Sequence, residues 1–132
     1  MDTGPALVSI LRQGNYLIAS VHTALDDSQM ARFRHDLIQQ IGQHRSTGVI
    51  IDVAALDVLD SFGTRTLQTI AEMARLRGAH TVVVGIQPEV AFAMVELGMS
   101  TEALITALDL EEGLVCLEAL TRSPRSATLK SP

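Results

Sequence analysis

A serine that follows an aspartate and precedes a Phe-Gly pair lies where a predicted buried strand is followed by a helix. The run is Asp60-Ser61-Phe62-Gly63-Thr64, and Ser61 falls at or near the first residue of the helix. Free backbone N–H groups and the positive end of the helix dipole favour a phosphate there. Gly63 has no Cβ and would let a kinase or a phosphate approach the backbone. The segment predicts a phosphoacceptor, and a serine that only caps the helix is the alternative.

The charge of the chain would place such a phosphate on an acidic surface. The net charge is −5, and Arg122, Arg125 and Lys130 carry three positive charges, which leaves −8 for residues 1–121. A phosphate next to Asp60 would add about −1.5 to −2 charges and would switch a protein contact by repulsion. A domain this acidic, with 3% aromatic residues, lacks the basic face and stacking rings used to bind nucleic acid. We therefore expect basic protein surfaces as partners and no nucleic acid.

Residue types suited to enzyme chemistry are sparse. The sequence has no G-x-x-x-x-G-K-[ST] or G-x-G-x-x-G phosphate motif and no G-x-S-x-G nucleophile elbow. Its single lysine, Lys130, follows the predicted fold, and the lone Cys116 is expected to be a small buried hydrophobe. The four histidines stand at no metal-ligand spacing: His22, His35, His44 and His80. We expect no enzyme activity, metal or cofactor, and a ligand-binding or hydrolase domain with Ser61 as nucleophile is a remote alternative.

Asp52 ends a predicted buried strand, the place where open α/β sheets bind ligands. The position invites comparison with the phosphoacceptor aspartate of a receiver domain. Such a domain also needs an acidic pair after its first strand and a lysine after its last, and the predicted fold contains no lysine. Asp52 is therefore interpreted as a carboxylate that caps the following loop.

The period of the apolar residues predicts an alternation of strands and helices. In chain order the elements are strands over 7–12 and 16–22, a helix over 27–41, a strand over 49–53, a helix over 61–77, a strand over 81–84, a helix over 88–97, a short strand over 104–106 and a last helix. Asp27 or Ser28 would cap the first helix and Gly42 would end it. Asp109 and Glu112 would cap the last.

The apolar stripes of two helices indicate which faces are buried. The inward residues of the helix after Ser61 are expected to be Leu67, Ile70, Ala71 and Ala74. Those of the last helix are expected to be Leu110, Leu114 and Leu117. The fold class is α/β, with a mixed, mostly parallel sheet begun by a β-hairpin and flanked by about four helices.

The domain organisation is expected to be simple. Residues 1–121 are predicted to form one domain, and residues 122–132, rich in Ser, Pro and Thr, a disordered tail. The start of the chain, MDTGPALVSI, does not resemble a signal peptide. The apolar runs are too short to span a membrane. We expect a cytoplasmic protein without a sensory domain.

Three stretches carry a family resemblance. They are VIIDVAALDVLDSFGTRTL at 49–67, GIQP at 85–88 with VAFAMVELG at 90–98, and ALDLEEGL at 107–114. Together they resemble STAS domains, the sulfate-transporter and anti-sigma-factor-antagonist family, most nearly the single-domain scaffold members of bacterial stressosomes. In STAS domains the Asp-Ser at the start of the second helix carries a regulatory phosphoserine. The resemblance implies a STAS-type fold and this role for Ser61.

The resemblance also implies partners. Such scaffolds are not enzymes; they form homodimers and co-assemble with larger STAS paralogs that carry N-terminal sensory domains. The assembly sequesters a serine kinase of the histidine-kinase-like ATPase fold. That kinase phosphorylates the serine matching Ser61 and is released into a stress-response pathway, and a phosphatase resets the system. A free anti-anti-sigma factor that binds an anti-sigma kinase directly is the alternative within the family.

The same comparison suggests where the kinase binds. We expect contacts with the 56–64 loop and with the exposed face of the next helix. The candidate contact residues are Asp57, Arg65, Gln68 and Glu72, although Arg65 and Glu72 equally suit a solvated surface. The larger paralogs carry a phosphorylatable threonine near the start of the first helix, where this chain has Leu25-Asp26-Asp27. Ser61 is therefore the single expected switch.

Overall fold

The order of strands and helices is the one that the sequence predicts. The computed structural model describes the backbone of residues 6–98 and 104–130, with side chains as far as Arg122. The elements are β1 Val8–Gln13, β2 Tyr16–Val21, α1 Asp27–His44, β3 Gly48–Asp52, α2 Ser61–Leu76, β4 His80–Val84, α3 Pro88–Glu96, β5 Ile105–Ala107 and α4 Leu110–Lys130. Within the described residues, none of these helices is long and apolar enough to cross a bilayer.

The sheet has five strands in the order β1-β2-β3-β4-β5. β1 and β2 form an antiparallel hairpin that closes at the Gln13–Tyr16 pair, and each later strand is parallel to its neighbour. Parallel neighbours require a crossover, and a helix supplies each one. The predicted α/β class and the mixed, mostly parallel sheet are confirmed.

Most of the core lies between the sheet and α1, α2 and α3. The face of α2 that the sequence predicts to be inward is buried, and Leu67, Ile70 and Ala74 are at most 1% exposed. From α1 the core receives Met30, Phe33, Leu37 and Ile41. β3 is buried along Gly48–Ile51, on both faces of the sheet, which explains its continuous apolar run.

Only α4 covers the opposite face of the sheet within the described residues. Leu117 is fully buried there against Ile18, Ile50, Val82 and Val84. The prediction that Leu110 points inward is wrong, because this first residue of α4 lies past the end of β5 and is 37% exposed. Leu114 and Cys116 are half-buried beside Leu117, so Cys116 is less buried than expected.

The ends of two helices differ from the predictions. Asp26 caps α1, not Asp27 or Ser28, because its carboxylate accepts from Gln29 N at 2.8 Å while the Gln29 side chain accepts from Asp26 N at 2.9 Å. α1 also continues past Gly42 to a left-handed cap at Arg45, with φ 50°. α4 runs to Lys130, into the segment predicted as a tail, and the division at residue 121 stays a prediction.

Candidate functional site

The loop after β3 is folded by its own polar groups. Asp52 Oδ1 accepts from Ala54 N at 2.9 Å, which confirms that this carboxylate caps the loop. Leu56 N donates to Val53 O at 2.9 Å and closes a turn. Val53 and Leu56 are buried, so residues 53–60 are anchored to the core before α2 begins.

A second loop, after β4, braces the first. The Gln87 side-chain amide donates to Ala54 O at 2.7 Å. Gly85 adopts φ +79°, and a Cβ there would lie 2.8 Å from the Cβ of Ala54. Only glycine accommodates both the left-handed backbone and this approach. The GIQP stretch therefore positions the Ser61 loop, a role that its sequence signal did not reveal.

At the start of α2, the residue that caps the helix is not the serine that the sequence predicts to be phosphorylated. Asp60 is the cap: its Oδ1 accepts from Gly63 N at 2.8 Å, and its carbonyl accepts from Thr64 N at 2.9 Å. Ser61 is the first helical residue. The alternative that Ser61 merely caps the helix is thus not what the structure contains, because Asp60 holds that position.

The Ser61 hydroxyl is not committed to the fold. The residue is half-buried, and within the described part of the chain its hydroxyl has no hydrogen-bond partner. The first backbone N–H groups of a helix have no intrahelical acceptor. A phosphate on Ser61 would therefore lie beside N–H donors and the positive end of the α2 dipole.

The neighbours of Ser61 are structural. Thr64 is fully buried, and its hydroxyl donates to Asp60 O at 2.8 Å. Phe62 is half-buried against the core. Gly63 is buried, and an added Cβ would lie 2.7 Å from Leu59 Cδ1. The small size of Gly63 therefore makes room for the preceding loop, whereas the sequence suggested room for a phosphate.

The predicted kinase contacts share one surface. Arg65, Gln68 and Glu72 follow Ser61 at spacings of four, seven and eleven residues, which places all four on one stripe of α2. Arg65 and Glu72 are exposed and Gln68 is half-buried; Asp57 is exposed in the loop before the helix. The structure thus brings these side chains to the same side of the domain as Ser61.

A cavity of about 130 Å³ lies beside this site. Its walls come from the end of β2, the start of α1, the loop after β3 and the start of α2: Val21, Ala24, Leu25, Met30, Val53, Leu56, Val58, Leu59, Asp60, Phe62, Gly63 and Leu67. The cavity thus places the beginning of α1, where Asp26 and Asp27 are exposed, next to the beginning of α2. The helix starts together form an acidic surface.

The site contains no machinery for nucleophilic catalysis among the residues that the structure describes. Among the described residues, a serine–histidine hydrogen bond joins Ser9 Oγ in β1 and His22 Nε2 after β2, at 2.7 Å. It does not involve Ser61. In the described ranges no three His, Cys, Asp or Glu side chains are grouped so as to hold a metal ion.

Comparison with known proteins agrees with the fold. The STAS domain family model matches residues 8–113, and the chain belongs to the STAS domain family. The solved structure of a serine-to-glutamate variant of Moorella thermoacetica RsbS is 36% identical, covers 89% of this chain and 99% of that chain, and has a TM-score of 0.78. A chain in a solved structure of the stressosome, described as a signal integration and transduction hub, is 33% identical to this chain. The match covers 86% of this chain and 99% of that chain, with a TM-score of 0.70.

A longer relative matches in sequence. The RsbT co-antagonist protein RsbRA of Bacillus subtilis is 29% identical over 100 residues, which is 76% of this chain. This chain spans only 36% of the length of that protein. The similarity therefore concerns about a third of a longer protein.

Proposed function

We propose that this STAS protein is a non-enzymatic stressosome scaffold and antagonist that sequesters a serine kinase and releases it when Ser61 is phosphorylated. The observation that carries the proposal is the uncommitted Ser61 hydroxyl at the first position of α2, in a chain 36% identical to RsbS. The protein acts in the cytoplasm, in a bacterial stress-response pathway, and a phosphatase restores the serine.

Release works through charge at a fixed surface. Asp60 is held as the cap of α2 by its 2.8 Å hydrogen bond to Gly63 N, so its carboxylate stays beside Ser61. Phosphorylation adds about −1.5 to −2 charges next to it. A kinase that fits the neutral serine together with Asp57 and the Arg65–Glu72 stripe then meets two adjacent anionic groups. Repulsion and the cost of desolvating the phosphate weaken the contact without refolding the domain.

The names of two relatives support the proposed assembly. RsbRA is called a co-antagonist of RsbT, and one similar chain belongs to a stressosome structure. In the proposed function, this chain forms homodimers and a large hetero-oligomer with STAS paralogs that carry N-terminal sensory domains. The kinase has the histidine-kinase-like ATPase fold. A free anti-anti-sigma factor that binds its kinase as a small complex is the competing function.

Intact-mass measurement tests the phosphorylation step. The purified chain is incubated with ATP and a serine kinase of that fold from the same organism, and one phosphate is expected on Ser61. Ser61→Ala should remain unmodified. Ser28→Ala is the matched control, because Ser28 is an exposed serine in the first turn of α1, and it should accept phosphate normally.

Two results would overturn the proposal. One is stoichiometric phosphate on Ser61→Ala. The other is kinase binding by Ser61→Asp that equals binding by the parent, since the mechanism requires negative charge at this position to weaken the contact.

A further inference from the structure

We infer that the cavity between the starts of α1 and α2 is a binding site for a small, neutral, apolar molecule. The inference does not depend on phosphorylation of Ser61. The cavity volume is about 130 Å³, close to that of an engineered apolar cavity of about 150 Å³ in another protein, which stays dry and binds benzene or xenon. Unlike that closed cavity, this one opens to solvent beside the exposed residues Val58 and Asp60. This volume suits a single six-membered ring or a branched aliphatic chain of similar size.

The walls determine the chemistry of the ligand. Buried side chains form the floor, and Val21, Met30 and Val53 are each at most 4% exposed. Half-buried Leu59 and Phe62 and exposed Val58 also line the cavity. Water would find few polar partners on such a surface, so an apolar molecule is favoured over a water cluster.

The rim excludes anions. Asp60 is the one acidic residue that lines the cavity, and Asp26, Asp27 and Asp57 are exposed on the adjoining loops and helix starts. A carboxylate entering here would meet like charge as it lost water. A hydroxyl is tolerated, because it can donate to a carboxylate.

Methionine methyl resonances report occupancy directly. Met30 lines the cavity, whereas Met73 is 37% exposed on α2 and Met94 is a buried residue of α3. In a protein labelled at the methionine methyl groups, titration with benzene or benzyl alcohol should shift the Met30 resonance saturably and leave Met73 and Met94 unchanged. Benzoate should produce no saturable shift.

A filled cavity supplies the control. Leu59→Phe enlarges a half-buried loop side chain and should weaken benzene binding by about tenfold. Val21→Leu enlarges a buried residue at the end of β2 that also lines the cavity. It replaces Leu59→Phe if that variant does not keep the Met94 resonance of the folded protein. Val115→Leu, at an exposed position of α4, should bind like the parent.

The inference fails on any of three results: no saturable Met30 shift with benzene, undiminished binding in the folded cavity-filling variant, or benzoate binding as tightly as benzyl alcohol.

Discussion

Two neighbouring residues at the start of α2 divide the tasks of capping and modification. Asp60 holds the end of the helix, and Ser61 keeps an uncommitted hydroxyl. Either residue of an Asp-Ser pair is a good cap by type, so the sequence leaves the assignment open. The structure resolves it, because the Asp60 carboxylate reaches the N–H of Gly63. Substituting Ser61 therefore tests the switch while the cap stays in place.

The cap predicts a stability series at residue 60. Asp60→Ala removes the acceptor for Gly63 N and should lower the free energy of unfolding by about 1 kcal/mol. Asp60→Asn keeps a side-chain oxygen and should retain most of the stability. Urea denaturation measures both variants. Asp57→Ala is the control, since Asp57 is exposed and makes no hydrogen bond within the described residues; an equal loss in Asp57→Ala would contradict the cap assignment.

At the scale of elements, local periodicity carries most of the information. The spacing of Leu67, Ile70 and Ala74 predicts the buried face of α2, and the structure confirms it. What the sequence does not predict depends on contacts between distant segments. The brace between Gly85 and Ala54 joins two loops, and the cavity exists only because side chains from four segments fail to fill one space. Neither feature has a local pattern.

The end of α1 at Gly42 is another feature that the sequence predicts incorrectly. The correction reverses the expected effect of an alanine at residue 42 on stability. Were Gly42 the end of α1, an alanine there would destabilise the protein. Because α1 continues to His44, residue 42 lies inside the helix, where alanine is favoured over glycine. Gly42→Ala should therefore raise the free energy of unfolding by up to about 1 kcal/mol. A Cβ at this position collides with the Arg77 guanidinium, which must move and thereby reduces the gain. The full gain should appear in an Arg77→Ala background.

The matched control for Gly42 is Gly78→Ala. Gly78 has φ +88° and no atom near its missing Cβ, so alanine there should cost about 1 kcal/mol from backbone strain alone. The urea midpoints of Gly42→Ala, Arg77→Ala, the double variant and Gly78→Ala show whether alanine at residue 42 stabilises the helix. Loss of stability in Gly42→Ala that persists without Arg77 would mean that α1 ends at Gly42 in solution.

At the scale of the whole molecule, the fold gathers acidic side chains at one edge of the domain. The starts of α1 and α2 gather Asp26, Asp27, Asp57 and Asp60 on one edge, beside Ser61. The net charge of −5 makes this edge attractive to a basic kinase surface over several ångströms. In the proposed function, phosphate on Ser61 would add to the negative charge of this edge.

Light scattering separates the scaffold from the free antagonist. Mixed with a STAS protein that carries an N-terminal sensory domain, from the same organism, the chain should form a particle far larger than a heterodimer. Ser61→Ala should assemble equally well, because the proposed role of this serine is kinase release and its hydroxyl makes no hydrogen bond within the described residues. A small heteromer with the paralog, together with a small, stable complex with a kinase, would instead identify an anti-anti-sigma factor. That outcome would leave the Ser61 switch intact and remove the scaffold.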